Sequence, residues 1–319
     1  MALGILTSGG DAPGMNAAIL QAWLTCQARG IPVLGIRQGF RGLLEGEPSE
    51  LREGELLLHG RLGGTMLGTS RLPSFAEHVE GLVTACGRHG LDRLLVVGGH
   101  GSMRATALLA GRGIAVVAIP GTIDGDIPGC DETIGFDSAL AFGAAALDGA
   151  RATAEAMPRV FGVETLGGTT GYLASAVAVA GFADLALVPE HPVATSLIEA
   201  RLRERLCQVG YALVIGGEGY TRLHETLERC AEQAGSELRY TKLGHAQRGA
   251  TPSGHDRCLA RTLAAEAVLA LEQRTSCAVV ARCGQAVRVP FEEVAAAKAP
   301  PAPRIDGLAD PRSAAGGGA

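Results

Sequence analysis

The chain has 319 residues, 47% hydrophobic and 4% aromatic, with 28 Lys and Arg against 33 Asp and Glu. A net charge of -5 gives no reason to expect nucleic acid or an anionic membrane as partner, and an anionic small substrate needs a local arginine cluster. The length suffices for two ordinary domains or one large one, and the richness in Ala, Gly, Val and Leu suits a soluble α/β protein with helices packed closely on sheets.

Leu3-Gly-Ile-Leu6 is a short apolar strand. It enters Thr7-Ser-Gly-Gly-Asp-Ala-Pro-Gly-Met-Asn16, and a helical stretch over 17–27 closes at Gly30. Strand, glycine-rich turn and helix is the geometry in which backbone N–H groups and a helix N-terminus meet a phosphate. The turn is neither G-x-G-x-x-G nor a G-K-[ST] loop, so on its own it equally describes a tight strand-to-helix turn. A second strand covers 31–37. Beyond it, Arg71 follows a run of glycines and hydroxyl residues that begins at Arg61. An arginine in such a loop beside a sheet edge is a candidate phosphate contact, although an exposed arginine is the common case.

Leu94-Leu-Val-Val97, preceded by the charged pair Asp92 and Arg93, leads into Gly98-Gly-His-Gly-Ser102 and an alanine-rich helix to about residue 109. The next strand, 114–119, is apolar throughout, as a parallel strand buried on both faces should be. It runs into Pro120-Gly-Thr-Ile-Asp-Gly-Asp-Ile-Pro128, a turn that carries Thr122, Asp124 and Asp126. Side chains at the carboxyl end of such a strand project into the crevice where open α/β sheets bind ligands. Two carboxylates one residue apart, behind a hydroxyl, suit phosphoryl transfer. One accepts the proton of an attacking hydroxyl and the other helps hold a magnesium ion. On their own, the same residues also describe an Asp-Gly turn with solvated carboxylates.

After Thr133-Ile-Gly-Phe-Asp137 an alanine-rich helix runs through Arg151. Strands at 160–164, 185–188 and 211–215, with a charged helix over 195–207, repeat the α/β grammar as a second domain. Arg159 precedes the first of these strands, Leu166-Gly-Gly-Thr-Thr-Gly171 follows it, and Gly216-Gly-Glu-Gly219 follows the last. Arg239, His245 and Arg248 then fall within ten positions. Basic residues this close commonly form a solvated face, but glycines flank His245 to Arg248 as they would a binding loop. A helix over 256–271 and a strand over 278–281 follow. The tail from Ala295, rich in Ala, Pro and Gly, is expected to be disordered. None of the eight cysteines forms a C-x-x-C pair. With no signal peptide and no run long enough to span a bilayer, they read as reduced thiols in a cytoplasmic protein.

Four motifs together resemble the bacterial 6-phosphofructokinases, along nearly the whole chain to about residue 290. They are Thr7 to Asn16, Pro120 to Pro128, Thr133 to Asp137, and Leu243-Gly-His-Ala-Gln-Arg-Gly249. The resemblance implies an α/β fold of two Rossmann-like three-layer domains with mostly parallel sheets. Residues 1–137 with about 250–294 would bind nucleotide, and 138–249 would bind sugar phosphate. It implies a homotetramer that moves the γ-phosphoryl of ATP, with Mg²⁺, onto the 1-hydroxyl of fructose 6-phosphate. Asp124 would be the base, Thr122 would line the transferring group, and Asp126 would hold the metal. Gly10, Arg71, Gly98, Gly99, His100, Gly101 and Ser102 would face the nucleotide. Leu166, Gly167, Gly168, Glu218, His245 and Arg248 would hold the sugar phosphate. Arg159 and Arg239 would reach the sugar phosphate of the neighbouring subunit, since arginine's planar fork pairs two phosphate oxygens at once. Gly101 and Gly121 stand where pyrophosphate-using members carry bulkier residues, which implies ATP as donor.

The chain departs from the family in four places. His100 replaces an aspartate that helps hold Mg²⁺, a hard cation that prefers oxygen ligands, so metal binding is expected to be weakened. Gly125 replaces an asparagine between the two carboxylates. Gly168 and Leu166 replace an arginine and a methionine of the sugar site. Leu20, Leu24, Cys207 and Val209 occupy positions that are basic in effector-regulated members, while Arg151 and Asp184 remain, so effector regulation by ADP and phosphoenolpyruvate is expected to be weak or lost. The leading expectation is an ATP-dependent 6-phosphofructokinase, slowed at its metal. The alternative is a catalytically impaired paralogue that binds sugar phosphate or assembles with an active subunit. A sugar kinase with an altered acceptor ranks third.

Overall fold

The computed structural model describes residues 1–297. It divides into two compact units: residues 1–138 with the described residues from Arg248 on, and residues 139–247. The first unit opens with β1 (Ala2–Ser8), α1 (Met15–Ala28), β2 (Val33–Ile36), α2 (Gly39–Glu45), β3 (Ser49–Glu50), α3 (Glu53–His59) and α4 (Phe75–Arg88). It continues through β4 (Leu91–Gly98), α5 (His100–Ala107), β5 (Ala115–Thr122), β6 (Ile134–Gly135) and α6 (Phe136–Ala156), in which the division falls. The second unit adds β7 (Val160–Thr165), α7 (Tyr172–Ala180), β8 (Leu185–Leu187), α8 (Thr195–Val209), β9 (Ala212–Gly217), α9 (Leu223–Gln233) and β10 (Leu238–Lys242), then a 3₁₀ turn at Gly244–Gln247. The chain then returns to the first unit with α10 (Gly254–Glu272), β11 (Cys277–Arg282), β12 (Gln285–Val289) and α11 (Phe291–Ala296).

The first sheet has the order β12-β11-β5-β4-β1-β2-β3, with β6 added beside β5. It is parallel except for β2 with β3 and β11 with β12. Its strands are apolar on both faces because helices cover both. Leu6, Leu94, Val96, Val116 and Val280 pack with Phe40 and Leu43 of α2, Val79 and Leu82 of α4, Met103 of α5 and Phe291 of α11. The alternate residues Ile5, Leu95, Val97, Val117 and Ile119 are also fully buried, and by the two-residue period of a strand they face the layer of α1 and α10. The second sheet, β10-β7-β9-β8, is parallel throughout. Val160, Leu187 and Val214 meet Ile198 and Leu202 of α8 and Leu227 and Cys230 of α9. Leu213 and Tyr211 meet Ala154 of α6, and α7 packs on β8 and β9. Both units are therefore three-layer α/β structures with mostly parallel sheets.

Several local expectations shift. Asp92 and Arg93 lie within β4 rather than before it. Asp92 is 5% exposed, and its carboxylate is met by Arg93 Nε at 3.1 Å and by the Arg274 guanidinium, the pairing a buried charge requires. Thr122 is the last residue of β5, not a turn residue. Arg239 sits in an edge strand, β10. Residues 295 and 296 of the expected disordered tail close α11, and 298–319 lie outside the described residues. All eight cysteines are free. Among the described residues no helix is long and apolar enough to cross a membrane.

Leu82 is fully buried in the cluster beneath α4. Leu82→Ala should lower unfolding free energy by about 2–5 kcal/mol, the cost of lost burial plus a residual cavity, as measured by chemical denaturation.

Candidate active site

The three central strands of the first unit stop at one edge. Ser8 of β1 pairs with Gly98 of β4, and Gly98 with Pro120 of β5, so Thr122 stands two residues further out. A crevice of roughly 390 Å³ opens there, lined by Gly10, Arg71, Gly99, His100, Gly101, Ser102, Thr122, Asp124, Asp126 and Arg248 among others. These residues, all singled out in the sequence, thus meet on one unit.

The crevice floor depends on a missing side chain. A Cβ on Gly98 would lie 2.5 Å from the Ser8 carbonyl oxygen and 2.6 Å from Ser102 Cβ. With no Cβ there, α5 begins directly behind the strand ends, and Ser102 Oγ donates to the Ser8 carbonyl at 3.0 Å. The first N–H groups of a helix have no intrahelical acceptor and carry a partial positive charge, so this end is suited to an anion.

Hydroxyls and one amide hold the Arg71 loop against β1 and α1. Thr7 Oγ donates to the Gly68 carbonyl at 2.8 Å and Thr69 Oγ to the Gly9 carbonyl at 2.8 Å. Asn16, 2% exposed, accepts from the Met66 N–H at 2.7 Å and donates to Leu62 O at 3.2 Å. Asn16 lies in the first motif, yet no local pattern shows that it clamps a loop 46–50 residues away. On the opposite turn, Arg248 Nη1 donates to the Asp11 carbonyl at 3.0 Å. Its guanidinium lies where a Cβ on Gly10 would be, with Nη1 at 2.5 Å.

Thr122 is 5% exposed. Its Oγ accepts the Asp124 N–H at 3.2 Å, and its carbonyl accepts Thr133 Oγ–H at 2.8 Å. Gly125 takes φ +67°, and a Cβ there would come within 2.9 Å of the Phe136 ring. The glycine thus lets the turn close over an aromatic ring. Gly101 and Gly121 differ in kind. A Cβ at 101 meets nothing within 4 Å, whereas one at 121 would lie 2.8 Å from Val97 Cγ1 and 3.1 Å from Met15 Cε. Gly101 leaves room in the crevice; Gly121 is dictated by packing beneath it.

Among the described residues no three His, Cys, Asp or Glu side chains are grouped to hold a metal ion. Mg²⁺ keeps several waters and typically binds one or two carboxylates plus a ligand's phosphates. Asp126 and Asp124 are the carboxylates on this crevice.

In the second unit, Glu218 Oε1 accepts the N–H of Gly167 at 3.1 Å and of Gly168 at 2.7 Å. Gln247, fully buried, accepts the Leu166 N–H at 2.8 Å and donates to the Ala139 carbonyl at 3.3 Å. Leu166, Gly167, Gly168 and Glu218 therefore form one ordered group. Arg159 and Arg239 form another, converging on Glu237 at 3.2 and 3.0 Å. His245 is exposed on the 3₁₀ turn. Arg151 donates to the Gly181 and Phe182 carbonyls, and Asp184 accepts the Leu213 N–H and pairs with Arg205.

A mostly parallel open sheet with glycine turns, a helix N-terminus and paired carboxylates at its carboxyl edge defines a doubly wound α/β protein with a crevice for phosphate-bearing ligands. Within that class the chain belongs to the phosphofructokinase family, whose family model, Phosphofructokinase, matches residues 2–271. It is 41% identical over 285 residues to the ATP-dependent 6-phosphofructokinase of Listeria welshimeri, covering 87% of this chain and 88% of that one. It is 39% identical over 281 residues to the enzyme of the same name from Lactobacillus delbrueckii subsp. bulgaricus, with the same coverage of both chains, 87% and 88%. Among solved structures, Pichia pastoris phosphofructokinase in the T-state superposes with a TM-score of 0.86 at 30% identity, over 92% of this chain and 35% of that longer chain. The chain thus spans about a third of that yeast protein. The pyrophosphate-dependent phosphofructokinase of Marinobacter aquaeolei, at 21% identity and a TM-score of 0.86 over 94% of this chain and 86% of that one, shares the fold.

Gly10→Ala should leave folding stability nearly unchanged, because the atom in its way is the far end of a flexible arginine. Displacing Arg248 removes a charged donor worth about 1.5–3 kcal/mol. Binding of inorganic tripolyphosphate, measured by titration calorimetry, should therefore weaken roughly tenfold or more.

Proposed function

We propose that this chain is an ATP-dependent 6-phosphofructokinase, which transfers the γ-phosphoryl of ATP to the 1-hydroxyl of fructose 6-phosphate to give fructose 1,6-bisphosphate in glycolysis. One observation carries this reading. Thr122, Asp124 and Asp126 line the same crevice as Arg71, Arg248 and the N-terminus of α5, in a chain 39–41% identical to enzymes named ATP-dependent 6-phosphofructokinase.

The first unit is the nucleotide-binding domain. Gly10, Arg71 and the run Gly98, Gly99, His100, Gly101 and Ser102 receive the nucleotide phosphates, with the helix N-terminus and the arginine fork opposing their charge. Asp124 accepts the proton of the sugar hydroxyl as the oxygen attacks phosphorus, and Thr122 orients the transferring group. Asp126 would hold Mg²⁺, which would supply charge neutralisation on the phosphates. His100 offers nitrogen where a carboxylate would serve that ion better, so metal affinity is reduced. The second unit is the sugar-phosphate-binding domain. Glu218 orders the Leu166, Gly167 and Gly168 turn and, with His245, holds the acceptor; Arg248 belongs to the first unit and meets phosphate in its crevice. Arg159 and Arg239 serve the sugar phosphate of a neighbouring subunit in a homotetramer, with Glu237 balancing their charge until that phosphate binds. The protein works in the cytoplasm. Effector control is weak or lost: Arg151 and Asp184 are engaged in contacts within the second unit, and Leu20, Leu24, Cys207 and Val209 offer no cation.

A coupled assay of ADP release with fructose 6-phosphate, ATP and Mg²⁺ tests the reading. Asp124→Asn should lower kcat by about 10²–10⁴-fold, the usual worth of a general base. His100→Asp should lower the Mg²⁺ concentration for half-maximal rate by about 10- to 100-fold. A parent without turnover, rescued by His100→Asp, would identify an impaired paralogue instead. Free ADP should leave the fructose 6-phosphate saturation curve unshifted apart from competition at the nucleotide site.

A further inference from the structure

Asp256, on the first turn of α10, is fully buried and has no part in the proposed chemistry. Its carboxylate gathers three donors. Oδ1 accepts the Gly135 N–H at 2.9 Å, and Oδ2 accepts the Ser138 N–H at 2.8 Å and Ser138 Oγ–H at 2.5 Å. Its own N–H donates to Ser253 Oγ, the N-cap of α10, at 3.1 Å. One side chain thus joins the starts of α10 and α6 and the short strand β6.

What β6 does gives this junction its meaning. Gly135 is the partner of Thr122 across β5 and β6, and Thr133 Oγ donates to the Thr122 carbonyl. The loop carrying Asp124 and Asp126 leaves the sheet at Thr122 and returns at Thr133, so both its ends are fastened to one point. Gly135, at φ +113°, also packs on the β1–α1 turn: a Cβ there would lie 2.7 Å from Ala12 Cβ. A Cβ on Gly14 of that turn would lie 3.6 Å from Asp256 Cβ. Asp256 therefore stands behind two of the turns that form the crevice. Burial pushes its carboxyl above the usual range, and the Ser138 hydroxyl and the Gly135 and Ser138 amides work against that push. The donor set is matched to a group that only accepts, which a carboxylate is and an amide is not.

We infer that Asp256 is a positioning residue for phosphoryl transfer: by holding Gly135 against Thr122, it fixes where the Asp124 loop leaves the sheet. The inference rests on the kinase reading for its kinetic consequence, but not for its structural one.

Two variants test it. Asp256→Asn turns one acceptor into an N–H that faces a donor, and Thr133→Val removes the second tie while keeping the shape. Leu82→Ala, distant from the junction, serves as a destabilised control. Both junction variants should lower kcat by about 10- to 100-fold, the effect of small misplacement of reacting groups. The KM for fructose 6-phosphate should stay within about twofold, since its binding groups lie off this loop. Hydrogen exchange in peptides covering 123–133 should rise in both and stay at the parent level in Leu82→Ala. Unchanged exchange there, or loss of stability with the kcat of the folded fraction intact, overturns the inference. A parent without turnover would instead defeat the kinase reading, and the exchange measurement would still decide the role of Asp256.

Discussion

The structure depends on how closely three parallel strand ends approach one another. At Gly98 the backbone of β4 comes so near the Ser8 carbonyl that a single added carbon would lie 2.5 Å away. That approach places the first turn of α5 beside the ends of β1 and β5, and so places backbone donors, hydroxyls and carboxylates within one crevice. Parallel pairing makes this affordable, because both faces of the sheet are buried under helices and no strand end must compete with water along its length.

Around this fixed edge the parts are fastened by different means. The Arg71 loop is tied by neutral bonds from Thr7, Thr69 and Asn16 to backbone atoms. The carboxylate loop is tied through β6 to a buried Asp. The Gly167 and Gly168 turn of the second unit is tied by the Glu218 carboxylate. Charge-assisted bonds are the stronger kind, and they occur where glycine leaves the backbone least restrained by itself. The two arginines at Glu237 show the complementary arrangement, in which two cations converge on one carboxylate.

Much of this was legible in the sequence because buried parallel strands are written as apolar runs and their turns as glycine clusters. The runs ending at Leu6, Val97 and Ile119 located the crevice, and the family resemblance named its lining residues. Amphipathic helices were harder. Leu223, Leu227, Cys230 and Ala231 of α9 have the spacing of a buried stripe, but charged residues between them masked it. The edge strand β10 alternates half-buried Leu238 and Tyr240 with exposed Arg239, a short pattern that its basic residues obscure. Asp256 and Gln247 were invisible for another reason. Their partners lie 118–121 and 81–108 positions away, and no local pattern records such distances.

Gly101 and Gly121 are the same residue in sequence, but different constraints hold them. At 101 a larger side chain would extend into open crevice; at 121 it would have to push apart Val97 and Met15, and with them the floor of the sheet. The crevice of this chain is therefore open to change by single substitution from one side only. A larger residue would be admitted at 101 at once, and at 121 only after the layer below had been repacked.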